Sequence, residues 1–173
     1  VGVRTGNPIA AKYEKRVAKH DGEPRNVLLL QYTLDYGDLI ALSHQEYEFF
    51  VRAVRMLNGV GYHNVRLRLH PGVEKAPYYR AITEYFSIDC EISDSGPFDT
   101  QVDWADIVIG PAISGAMLEV LASGKIYLPV LMEPTAVDRN YLRQGAHYTN
   151  LEMLQDTLSQ KTFPDQRALL ENF

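Results

Sequence analysis

Two stretches of this chain combine residue types that can handle a phosphate. The first, Gly110-Pro111-Ala112-Ile113-Ser114-Gly115, leaves an apolar, strand-like run and enters a helix-like one. Small residues there let a ligand approach the backbone. The unpaired N–H groups of a helix start, at the positive end of its dipole, favour an anion such as a diphosphate. Ser114 adds a hydroxyl donor. Glu119, five residues on, lies about a turn and a half along the same helix, where a carboxylate can accept both hydroxyls of a ribose. The spacing is met equally well if Ser114 only caps the helix and Glu119 faces solvent.

The second stretch is Arg66-Leu67-Arg68-Leu69-His70-Pro71. Strand side chains alternate between faces, so Arg66, Arg68 and His70 share one side and Leu67 and Leu69 the other. Pro71 holds His70 extended. Basic groups in line at a strand end can approach phosphate oxygens; the alternative is a solvated face, which suits Arg66 best. Other chemistry is thinly represented. His20, His44, His63 and His147 have no metal-ligand spacing to one another. There is no Walker A loop and no Gly-x-Gly-x-x-Gly after a strand. Ser114 sits in Ala-Ile-Ser-Gly-Ala, which is not a nucleophile elbow. Tyr78 and Tyr79 read as helix packing and Trp104 as core.

Five short apolar runs must position these residues as strands: Val27–Leu30, Val65–Leu69, Ile88–Ile92, Ile107–Ile109 and Ile126–Leu131. Helical spacing lies between them. In Ser43–Asn58 the residues Tyr47, Phe50, Val51, Val54 and Leu57 recur every three or four positions, and Ser43 with Glu46 reads as a capping box. Further helices are expected at Tyr78–Phe86 with Pro77 in the first turn, and at Phe98–Ala105. Another spans Ser114–Ser123 and stops at Gly124; the last two are Leu151–Ser159, capped by Asn150, and Asp165–Asn172. Regular alternation of strand and helix predicts an α/β fold. It is a doubly wound, Rossmann-like parallel sheet of five to six strands with helices on both faces. In such a sheet ligands bind at the carboxyl ends of strands, where strand order reverses. That nominates two loops, Gln31–Asp38 and Gly110–Gly115.

With 173 residues, 46% of them hydrophobic and 23% charged, the chain has the proportions of one globular domain. Residues 1–24 carry no strand signal. They hold a turn at Gly6–Pro8 and a helical stretch at Ile9–His20, and read as an inter-domain linker or arm before a domain over 25–173. A start at Val1 rather than Met leads to the expectation of processing or of excision from a longer protein. The formal charge of −5, from 17 Lys and Arg against 22 Asp and Glu, argues against nucleic acid as a partner. No apolar stretch is long enough to span a bilayer, and the expectation is a cytoplasmic protein. The single cysteine, Cys90, fits a reducing compartment.

The segment Gly110–Ile126 resembles the nucleotide-binding helix in the C-terminal domain of GT-B fold glycosyltransferases. Arg68-Leu69-His70-Pro71 is similar to the His-Pro motif of bacterial surface-polysaccharide transferases, and Thr5-Gly6-Asn7-Pro8 to the Gly-Asn-Pro segment that opens the donor half in GT-B transferases and in UDP-N-acetylglucosamine 2-epimerases. The resemblance implies that Glu119 holds the ribose, that Ser114 and Gly115 face the phosphates, and that His70, with Arg68, contacts the donor phosphate. It implies a nucleotide-sugar substrate, a cytidine nucleotide first, and no metal or other cofactor. The catalytic base would come from an N-terminal acceptor domain absent from this chain. Any peripheral membrane contact would come through that domain too, and this chain alone would bind without turning over. Two positions depart from the pattern: Pro111 stands where retaining members carry a second glutamate, and Ile126 where proline commonly follows the Gly-Lys pair. Two other functions fit the same fold. One is half of a UDP-N-acetylglucosamine 2-epimerase-like enzyme, for which Asp94 and Asp99 are the nearby carboxylates. The other is a non-catalytic binding module.

Overall fold

A computed structural model describes residues 23–31, 43–71, 75–112, 114–130, 148 and 150–171. The expected arm, with its Gly6–Pro8 turn and Ile9–His20 helix, lies outside them except for Glu23 and Pro24, as does the loop from residue 32 to 38. The elements run β1 (Asn26–Leu30), α1 (Ser43–Gly59), β2 (Asn64–Arg68), α2 (Ala76–Tyr85), β3 (Glu91–Ser93), α3 (Phe98–Trp104), β4 (Ile107–Pro111), α4 (Gly115–Ala122), β5 (Ile126–Val130), α5 (Leu151–Gln160) and α6 (Gln166–Glu171).

All five strands are parallel, in the order β3-β2-β1-β4-β5. Alternation along each strand feeds two cores, one on each face of the sheet. On one face Val27, Leu29, Val65, Leu67, Ile107, Ile109 and Leu128 pack under α1, α2 and α5. On the other Leu28, Leu30, Val108 and Tyr127 meet Val102 of α3, Met117, Val120 and Leu121 of α4, and Leu169 of α6. The fold is therefore doubly wound, and β1 and β4 are the adjacent strands from which the chain departs in opposite directions. Their carboxyl ends form the switch point.

Helix ends explain where expected and observed boundaries part. Ile88 was expected to open β3, yet it belongs to the end of α2. Ser87 takes a left-handed φ of 51°, and the Ile88 N–H returns to the Thr83 carbonyl at 2.9 Å while the Ser87 N–H reaches Glu84 at 3.2 Å. This is a Schellman closure made without glycine, and it buries Ile88 as the hydrophobic partner of the motif. β3 then spans only Glu91–Ser93 at the sheet's edge. The opposite edge is β5, whose Pro129 carbonyl accepts from the Tyr148 N–H at 2.8 Å. Asn150 caps α5 as expected, accepting from the Met153 N–H at 2.8 Å. Lys125, 8% exposed, donates to the Asp103 and Ala105 carbonyls at 3.0 and 2.7 Å, placing an ammonium at the negative end of α3.

Candidate functional site

The carboxyl edge of the sheet carries the residues singled out by their chemistry. β2 and β4 flank β1, and adjacent strands are about 4.8 Å apart, so the ends of β2 and β4 stand about 10 Å from each other across β1. His70 follows β2 and Ser114 follows β4.

On the β4 side, Ser114 has an extended backbone (φ −155°, ψ 136°), and its Oγ accepts from the Ala116 N–H at 3.2 Å. It therefore caps α4. An accepting hydroxyl still has its own proton to donate, so capping leaves the donor role open. Gly115 is exposed, and a Cβ there would meet nothing within 4 Å, so the first turn of α4 is open on that side. Glu119 is partly buried on α4, about 7.5 Å along the axis from Ser114. Ile113 lies outside the described residues.

Gly110 corrects the reading of this loop as uniformly small to admit a ligand. Gly110 and Pro111 are the last residues of β4, not loop. A Cβ on Gly110 would lie 2.6 Å from the Tyr127 hydroxyl oxygen and 2.9 Å from Leu30 Cδ1. The glycine makes room for protein: the buried Tyr127 hydroxyl donates to the Pro111 carbonyl at 2.8 Å, and burial pushes its pKa upward, keeping it a donor.

On the β2 side, the three basic residues part company. Arg66 is not on a solvated face. Its guanidinium lies 4.0 Å from the centre of the Trp104 ring and pairs with Glu91 at 2.8 Å, so Trp104 serves as a cation–π platform. Arg68 donates to the Ser95 and Gly96 carbonyls at 2.7 and 3.0 Å, using two of its five N–H groups to fasten the β3–α3 turn. Gln101 holds the same turn, donating to Ser93 Oγ at 2.7 Å and the Ser95 carbonyl at 3.1 Å. His70 is exposed, with its backbone N–H donating to Gln31 Oε1 at 2.8 Å. Asp94 pairs with Arg80 at 2.7 Å, and that bond lowers its pKa. Asp99 lies in the first turn of α3 and accepts from the Thr100 N–H.

A buried polar group that the sequence pattern does not mark lies behind His70. Glu46, 3% exposed, accepts from Gln31 Nε2 at 2.6 Å, from the Tyr79 hydroxyl, and from Lys75 Nζ at 3.0 Å. Both carboxylate oxygens of Glu46 thus serve groups at the end of β1 and at the start of α2, while the Ser43 side chain of the expected capping box lies outside the described residues. Burial, then the bond to Glu46, raises the Tyr79 pKa, so the phenol stays protonated and donates. The one available signal was an acidic residue among otherwise apolar positions of α1. Burial pushes the lone thiol, Cys90, up to about 12, which favours its protonated form.

No family model and no curated protein matches this chain. Among solved structures, the crystal structure of Acinetobacter baumannii MurG is similar with a TM-score of 0.45 and 18% identity, over 94% of this chain and 46% of that one. The chain thus spans about half the length of that protein. Among the described residues no helix is long and apolar enough to cross a membrane, and no three His, Cys, Asp or Glu side chains group as a metal site requires.

Proposed function

We propose that this chain is the donor-binding half of a GT-B glycosyltransferase, taking a nucleotide-sugar in surface-polysaccharide or glycoconjugate synthesis. One arrangement supports the reading: the capped, open N-terminus of α4 and the exposed His70 stand on either side of β1's carboxyl end, at the switch point of a doubly wound sheet. In this reading the first N–H groups of α4 and the Ser114 hydroxyl take phosphate oxygens, and Glu119 takes the ribose hydroxyls. His70 stabilises charge that develops on the leaving phosphate, an electrostatic task met by fixed donors. Arg68 serves the same edge by holding the β3–α3 turn, with further N–H groups able to face a phosphate. Acceptor activation falls to a second lobe, so this chain alone binds and does not turn over.

Calorimetry with CMP, CDP, UDP and GDP tests the proposal. Heat is expected with at least one of them, and it should weaken in H70A and in E119A. Absence of heat with all four refutes it. Binding that is indifferent to both substitutions supports a non-catalytic binding module instead.

A further inference from the structure

We infer that Glu46 is a positioning residue for His70, acting through Gln31 and Lys75; as a statement about phosphate binding this rests on the function proposed above. The connection from β2 to α2 is tied at both ends to one buried carboxylate. At its start the His70 N–H donates to Gln31 Oε1 at 2.8 Å, and Gln31 in turn donates through Nε2 to Glu46 Oε1 at 2.6 Å. At its end Lys75 Nζ donates to Glu46 Oε2 at 3.0 Å. The Gln31 backbone N–H is fixed too, on the Arg68 carbonyl at 2.9 Å, so this side chain starts from a set position beside the end of β2.

The carboxylate matters because of polarity. The two ends of a glutamine amide have the same shape and opposite hydrogen-bonding sense. A carboxylate can only accept, so it draws the Gln31 NH₂ group and leaves the carbonyl oxygen for His70. With glutamine at position 46 that instruction is lost. Gln31 can then turn over and set its own NH₂ against the His70 N–H, donor against donor. Gln31 and Glu46 are 5% and 3% exposed, so water does not compensate inside the group. Stability alone does not explain the arrangement, because apolar side chains of similar volume often replace a buried ion pair at no cost. What the arrangement supplies is a defined course for the backbone at His70 and at Lys75.

The test compares wild type, E46Q and Q31M by amide hydrogen exchange and by calorimetry. Exchange at His70 should rise about tenfold in both variants, while Leu67 in the middle of β2 keeps its protection. Affinity for whichever of CMP, CDP, UDP and GDP the wild type binds should fall about tenfold in E46Q, with affinity for the matching nucleoside unchanged. In the H70A background E46Q should cost nothing further, because the two residues act in series. A merely structural Glu46 would lower nucleoside and nucleotide affinity alike and add to H70A; either result overturns the inference. So does unchanged exchange at His70. Wild-type protein that binds none of the nucleotides overturns the functional reading, while exchange still judges the positioning. Should E46Q fail to fold, Q31M removes the same link without leaving a buried carboxylate short of its charge partner, and the same outcomes apply.

Discussion

Replacing Gly110 with alanine separates a glycine kept for a ligand from one kept for packing. The new Cβ would lie 2.6 Å from the Tyr127 hydroxyl oxygen and 2.9 and 3.1 Å from Leu30 Cδ1 and Cβ. Neither neighbour yields easily, since Tyr127 is fully buried and Leu30 nearly so. Overpacking of this kind costs about 1–3 kcal/mol. Moving Tyr127 also breaks its 2.8 Å bond to the Pro111 carbonyl and leaves a buried hydroxyl unsatisfied, about 1–3 kcal/mol more. G110A should therefore lose about 3–4 kcal/mol in urea denaturation. Y127F alone should lose about 1–2 kcal/mol, from the orphaned carbonyl. The double variant should be more stable than the sum, because the added methyl occupies space the oxygen has vacated, with Leu30 still crowding it. Additive losses, or a G110A protein within about 0.5 kcal/mol of wild type, would refute the packing account.

Other expectations are independent of that one. Lys125→Met should destabilise by about 2 kcal/mol in denaturant, since it strips two carbonyls at the end of α3 of a buried ammonium. Arg66→Met should cost about 1 kcal/mol and shift the emission of Trp104, the chain's single tryptophan, by removing the cation 4.0 Å from its ring. Asn150→Ala should cost about 1 kcal/mol by uncapping α5. The Asp94 carboxyl should titrate below the ordinary aspartate range by NMR, and R80A should raise its midpoint. Because the native value is the lower one, the Asp94–Arg80 link stabilises above the unfolded aspartate pKa and fades as pH falls through the native one.

Legibility followed how local each signal was. β1, β4 and β5 are buried on both faces, so they read as unbroken apolar runs and were found within two residues. α1 and α5 showed helical spacing with a cap or a full apolar stripe. β3 was misplaced because Ile88 carries the same β-branched signature whether it pairs in a sheet or closes a Schellman motif, and Ser87 gave no glycine to mark the left-handed position. At the candidate site, His70 and Ser114 stood out because strand ends and helix starts are sequence-local. Gln31, Glu46, Lys75 and Tyr79 did not. They are separated by up to 48 positions in the chain and meet only once β1, α1 and α2 are packed. The setting of Arg66 is non-local in the same way: its partner Trp104 is supplied by a helix on the far side of the β3 crossover.

The two borders of the sheet differ in kind and act alike. β3 offers three residues, two of them Glu91 and Ser93, which is too short and too polar a template for another chain. Along β5, Pro129 has no N–H to give, and its carbonyl is already taken by Tyr148. Among the described residues one border is therefore short and polar, and the other is interrupted by proline and already engaged by the Tyr148 bridge to Val130. Among the described residues the sheet is guarded against edge-to-edge aggregation, and a partner that joins it there must do so through side-chain surfaces and loops rather than by lengthening the sheet.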